Sequence, residues 1–376
     1  MPTISETGYT QSQISILALS MVTGIGSVLL RQLVAYTGSP EEAISAPKRH
    51  LEKIPGIGQA LIANIENERE VAVSQALQEL TSLEENGGTM HCYLDKTYPT
   101  RLKSIPDGPL FLFTRGRFNF ENPRILAVVG TRQASQYGKQ ALEEFTQALV
   151  PYNPVIVSGL AYGIDIGAHK AAIHHGLETW GVMATGVDTV YPAQHRQTAQ
   201  AMMLNGGILT ENFLKTKPDA PRFPARNRII AGLADAILVV EAMEKGGALI
   251  TARLGVDYFK DVFAMPGSIY SKSSEGCNML IRSNTAGAVT SGIQLAESMG
   301  WEPGQATKNR KAPSRPADLE TEDHTILDLL ELHGQLHIDE LAWRSQIAVN
   351  QLASRLLGLE FQGLVRSLPG KKFGKF

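Results

Sequence analysis

Six short apolar runs, at 125–130, 155–159, 179–186, 207–211, 236–241 and 262–267, recur with starts 24 to 30 residues apart. Each is too short for a helix, and the intervals between them carry helical apolar spacing. Strands that read as unbroken apolar runs are buried on both faces, which requires a parallel sheet covered by helices. Intervals of this size hold one crossover helix per strand. Residues 124–300 are therefore expected to form an α/β domain built on a doubly wound parallel sheet.

The flanks follow other patterns. Thr23-Gly24-Ile25-Gly26 and Pro55-Gly56-Ile57-Gly58 stand 32 residues apart within helical apolar spacing, as two helix-hairpin-helix units would. Residues 1–70 are assigned to that (SAM-like) module. Hairpin glycines let helices approach closely, and in DNA-binding versions the backbone N–H groups face a phosphate. Residues 1–123 carry 10 basic and 13 acidic side chains, which favours a purely structural bundle. Residues 71–123 read as a connecting segment with short strands at 91–94 and 110–113, broken by Pro99, Pro106 and Pro109. Residues 301–317 are rich in proline, lysine and arginine and read as a linker. Residues 318–376 show three short helical patterns and a hairpin-like end, which suggests a winged helix. With nine carboxylates against six cations, it is expected to contact protein rather than read DNA.

Composition removes several function classes. Two cysteines, Cys92 and Cys277, exclude a disulfide scaffold and a cysteine-built zinc site. No basic, apolar leader opens the chain and no run approaches membrane-spanning length, so a soluble, cytoplasmic protein without a membrane partner is expected. No G-x-x-x-x-G-K-[ST], G-x-S-x-G, H-E-x-x-H or C-x-x-C occurs. No catalytic residue, metal or cofactor is expected. Net charge is −2, so a nucleic-acid binder would need a local basic groove.

Ligands of open parallel sheets bind at strand-end loops. Those loops are Gly130-Thr131-Arg132, 158–165, Gly186-Val187-Asp188 and 244–247. The second, Ser158-Gly159-Leu160-Ala161-Tyr162-Gly163-Ile164-Asp165, is the sharpest. Its small residues allow close backbone approach, Ser158 offers a hydroxyl, and a helix starting near Gly163 would present N–H groups to an anion. A phosphate site is expected there, with plain turn chemistry as the alternative. Asp165 and His169 share a helix face and are expected to form a structural hydrogen-bonded pair. Residues 215–228 hold five cations and one acid around Phe223. Cations interleaved with an aromatic suit single-stranded nucleic acid, although a solvated loop with Phe223 in the core fits the stretch equally.

VVGTR (128–132), SGLAYGIDIGAHKAA (158–172), TGVDTVYP (185–192), FPARNRIIAGLADAILVVEA (223–242), ALITAR (248–253) and FAMPGSIYSKSSEGCNMLI (263–281) resemble, in order, the signature blocks of the bacterial DNA-processing protein DprA (Smf) family. The resemblance implies an extended Rossmann-like domain and a non-enzymatic recombination mediator of natural transformation. Such proteins bind and protect single-stranded DNA, help load RecA recombinase, and dimerise through that domain. It implies DNA contact by Arg132, a phosphate held by Ser158, Gly159 and Ala161, and base stacking by Phe223 with Arg226 and Arg228 beside it; Gly130, Gly163 and Asn227, in the same loops, are expected to join the DNA- or phosphate-binding set. The family often has a lysine after Tyr-Pro, where Ala193 stands here. The lysine that often precedes the Phe has no exact counterpart, so Lys217 or Arg222 would substitute. Where Ser-Gly-Ser is common, this chain has Gly246-Gly247-Ala248. The competing class is a nucleotide-processing, phosphoribohydrolase-like enzyme, whose P-G-G-x-G-T-x-x-E loop is missing.

Overall fold

The computed structural model describes residues 8–304, 320–333, 335–361, 364–368 and 372–375. The chain divides into two compact units, 1–305 and 306–376. The linker expected at 301–317 lies outside the described residues from 305 onward.

In the first unit, nine strands form one sheet: β1 (Gly88–Cys92), β2 (Phe111–Gly116), β3 (Ile125–Val129), β4 (Val155–Ser158), β5 (Thr179–Val182), β6 (Gly206–Thr210), β7 (Ala236–Val239), β8 (Asp261–Ala264) and β9 (Gly287–Ala288). Their order is β1-β2-β6-β5-β4-β3-β7-β8-β9. From β6 to β9 every pairing is parallel, whereas β1 and β2 extend the sheet antiparallel beyond β6.

Every residue of β3, β4, β5, β6 and β7 is buried. Ile125, Ala127 and Val129 face the helices Arg222–Leu233 and Gly247–Asp257. Leu126 and Val128 face the helices Gln136–Leu149 and Ile164–His174. Each fully buried Val, Leu or Ile contributes about 1.5–3 kcal/mol. Two covered faces explain why the strands read as continuous apolar runs.

The N-terminal helices Gln11–Met21 and Ser27–Thr37 meet at one glycine hairpin, and Lys48–Leu51 and Gln59–Glu85 at the other. Gly24 and Gly56 adopt φ of 89° and 82°, a region that favours glycine. Ile25 and Ile57 turn inward from the two turns. The boundary expected at 70/71 falls inside Gln59–Glu85, because no glycine or proline interrupts that stretch. Its Ala72, Ala76, Leu80 and Leu83 join a core shared with Leu17, Leu33 and the strand residues Met90, Phe111 and Phe113.

In the second unit, helices Thr321–His333, Ile338–Ser345 and Val349–Phe361 accompany β10 (Gln335–His337), β11 (Val365–Leu368) and β12 (Lys372–Lys375). The sheet order is β10-β12-β11, with antiparallel pairing. Ile326, Leu330, Leu341, Leu352 and Leu356 fill its core. No helix among the described residues is long and apolar enough to cross a membrane.

Candidate functional site

The chain leaves β3 for β4 on one side and returns through β7 on the other, so the topological switch lies between β3 and β7. Ligands of open α/β sheets bind outside the strand ends at such a point. A cleft of about 690 Å³ opens there, lined by Arg132, Ala161, Tyr191, Phe223, Asn227 and Lys245 among others.

The lip of this cleft carries a cation and two aromatic rings. Arg132 is exposed, with its guanidinium carbon 5.8 Å from the centre of the Phe223 ring. Phe223 is half-buried in the first turn of Arg222–Leu233 and lies 5.8 Å from the Tyr191 ring, tilted by 46°. Tyr191 remains 46% exposed, so neither ring is consumed by the core. Buried Glu241 fixes the loop that presents Arg132. Its carboxylate accepts from the Ser135 N–H at 2.9 Å and the Ser135 hydroxyl at 2.6 Å, while its carbonyl accepts from the Thr131 N–H at 2.7 Å. Exposed Lys245 adds a second cation.

The loop at 158–165 is built differently from the expected phosphate cradle. Ser158 is fully buried, and its hydroxyl donates to the Val128 carbonyl at 2.6 Å instead of facing solvent. With its one proton committed to that carbonyl, the hydroxyl has none to donate to an anion. Gly163 caps the following helix at φ 76°, and a Cβ there would meet the Thr131 carbonyl oxygen at 2.2 Å. The Ile164 N–H donates to Thr131 O and the Ile166 N–H to Ala161 O, both at 3.1 Å, so these two donors are already satisfied. Leu160 adopts φ 56°, an uncommon conformation for a branched side chain, of the kind that clusters at functional sites.

Beneath the loop lie Asp165 and Arg226. Burial pushes the Asp165 carboxyl above the usual carboxylate range, opposed by the Arg226 guanidinium and by hydrogen bonds from the loop, including the Ala161 and Gly159 backbone. Burial likewise lowers Arg226 to about 10, although Asp165 favours its charge. Arg226 donates to the carbonyls of Gly159 and Val182, and its Nε donates to Asn227 Oδ1 at 3.2 Å. The loop thus wraps an internal carboxylate and an internal cation. An added anion would meet its outer side, near Arg132.

The expected site residues therefore separate. Gly130, Arg132, Ala161, Phe223, Arg226 and Asn227 line the cleft, but Arg226 does so from a buried position. Arg228 turns away and pairs with Glu211. Arg222 is exposed and donates to Asn212 at 3.0 Å, and Lys217 is exposed; neither lines the cleft. Ser158 and Gly159 lie behind it. Asp165 and His169 do not form the expected pair, because His169 Nδ1 binds the Thr179 hydroxyl at 2.7 Å. That hydroxyl donates to Ile156 O, so Nδ1 carries the proton. Asp188, in the third loop, accepts from the Lys215 N–H away from the cleft.

Tyr191, Glu241 and Lys245 were not singled out from sequence as site residues. The ring following a strand-end glycine loop and the lysine of the 244–247 loop carried the available signal. The long-range bonds of Glu241 had none.

Residues 89–300 match the family DNA recombination-mediator protein A, and residues 310–371 match the DprA winged helix domain. The chain is 34% identical over 393 aligned residues to Protein Smf of Synechocystis sp., covering 95% of this chain and 97% of that one. The X-ray structure of DNA processing protein A from Streptococcus pneumoniae aligns with a TM-score of 0.61 at 31% identity, covering 77% of this chain and 98% of that one. DNA processing protein A from Helicobacter pylori, described with a single-stranded DNA binding mode, aligns with a TM-score of 0.52 at 27% identity over 56% of this chain and 95% of that one.

Proposed function

The chain belongs to the DNA recombination-mediator protein A family, and from that premise we propose that it binds single-stranded DNA along the strand-end cleft without strict sequence readout. The observation that carries this reading is the row formed by Arg132, Phe223 and Tyr191. An exposed cation beside half-open aromatic rings offers a phosphate contact and a stacking face together, the combination that suits unpaired nucleotides. Duplex DNA hides its base faces and gains nothing from the rings.

In this reading the protein is a binding mediator, not an enzyme. It protects incoming single strands during DNA uptake and transformation and hands them to a RecA-type recombinase, acting as a homodimer through the sheet domain. Asp165, the last residue of the 158–165 loop, is buried beside Arg226, which suits a scaffold more than proton transfer at a substrate.

The deciding experiment compares single- and double-stranded oligonucleotides of equal length across a salt series. Preference for single strands, with affinity falling as salt rises, is the expected result. Equal affinity for duplex, or indifference to salt, overturns the reading. Release of free base from nucleoside monophosphates would move the protein to the enzyme class.

A further inference from the structure

Away from the cleft, three metal-ligating side chains converge on the face formed by two neighbouring helices. Glu143 projects from Gln136–Leu149, while His174 ends Ile164–His174 and His175 caps it. His175 Nε2 lies 2.9 Å from Glu143 Oε1, and His174 Nε2 lies 4.0 Å from the same oxygen. One ligand atom from each of the three lies within 4.8 Å of the other two. The imidazoles stand 4.8 Å apart, tilted by 56°, so adjacent residues in sequence aim both rings at one carboxylate.

We propose that Glu143, His174 and His175 form a binding site for a divalent transition metal of the zinc class. Two imidazole nitrogens and one carboxylate oxygen are a ligand set that zinc accepts, with a fourth position left for water. Bonds of ~2.0–2.1 Å in a tetrahedral site place ligand atoms about 3.4 Å apart. The observed spacings bracket that value, and His174, with its side chain 71% exposed, is free to swing inward. The site also sits at the carboxyl end of Ile164–His174, the end where the helix dipole favours a cation.

Binding has a structural consequence. The two helices follow β3 and β4, so a metal here would clip together the elements that begin at the Arg132 loop and at the 158–163 loop. A harder cation such as magnesium, which prefers oxygen ligands, is not expected to compete.

The test uses full-length, untagged protein stripped with a chelator and titrated with zinc chloride by calorimetry, with magnesium chloride as the control. One zinc per chain is expected, with a rise in melting temperature on binding. Glu143→Gln and His174→Gln, both at exposed positions, should fold normally by circular dichroism and weaken zinc binding by about tenfold or more. Absence of zinc binding in the wild type overturns the proposal. So does zinc binding that persists unchanged in both variants, which would place the metal elsewhere.

Discussion

Arg226 donates a hydrogen bond to the carbonyl oxygen of Gly159 at 2.6 Å. Both residues were expected at a DNA surface, and the structure turns them toward each other beneath it. The arginine holds the loop in shape from inside, while the exposed Arg132 remains for an external anion. Two arginines 94 positions apart in sequence therefore divide positioning from contact.

Gly159→Ala should destabilise the fold. A Cβ at this position would come 2.5 Å from Arg226 Nη2 and 2.6 Å from Asp165 Oδ2, both on buried side chains with little room to move. Overpacking of this kind costs about 1–3 kcal/mol. Urea unfolding would read the loss as a lower midpoint with an unchanged slope, and an unshifted midpoint would show that the pair yields.

Arg226→Ala and Arg132→Ala should fail in different assays. Removing Arg226 leaves the Asp165 carboxyl buried without its cation, at a cost of about 3–5 kcal/mol. Removing Arg132 should leave the melting temperature unchanged, weaken single-strand binding, and reduce the salt slope by about 1. Parallel melting and binding titrations on both variants separate the two roles.

Phe223→Ala should lower single-strand affinity by about 1–3 kcal/mol with the salt slope retained, because stacking releases no counterions. Fluorescence anisotropy at three or more salt concentrations supplies both quantities. A slope that falls in step with affinity would mean that the ring acts by placing Arg132.

Acid should destabilise the protein through His169. Burial, reinforced by the Arg226 and His195 charges, drives its imidazole down to about 3, and its Nε2 has no partner among the described residues. An unfolded histidine titrates near ~6.5. The unfolded chain therefore takes up the proton first, so stability is complete above ~6.5 and drains as pH falls toward the folded value. Asp165, raised by burial, runs in the opposite sense and costs more as pH rises. His169→Asn keeps a donor for Thr179. Between pH 7 and pH 5 the wild type should lose about 2 kcal/mol more than this variant; parallel losses would refute the assignment.

A chain ending at Ala317 should keep most single-strand affinity. In the winged-helix unit, Arg355 lies 2.6 Å from Glu320, 2.6 Å from Glu322 and 3.1 Å from Asp323, and Arg344 pairs with Glu340. These cations are already committed to carboxylates. A second chain ending at Gly300 would reveal any contribution from the basic residues between 308 and 315. A large loss in the longer chain contradicts the expectation.

The sheet was legible because burial on both faces leaves a plain imprint: six unbroken runs marked six of the nine strands. The hairpins were legible because Gly24 and Gly56 need an unusual backbone angle. Side-chain direction was harder to read. Residues 215–228 read in sequence as one basic stretch, yet 222–233 is a helix, and its period separates the arginines. Phe223, Arg226 and Asn227 fall on one face at i, i+3 and i+4, whereas Arg228 lies about 140° beyond Phe223 at ~100° per residue. That signal was present but unused. Nothing local foretold that Ser158 would face Val128, since that bond depends on which strand lies alongside.

The N-terminal helices have a bearing on how this chain could have been assembled or shortened in evolution. They share their core with Met90, Phe111 and Phe113 on the antiparallel strands at one margin of the sheet. Separating them would bare those apolar side chains, an exposed patch of the kind that promotes aggregation. The hairpin region is thus no interchangeable bead. A lineage that discarded it would have to lose β1 and β2 as well or acquire a substitute cover, whereas the winged-helix unit closes a core of its own.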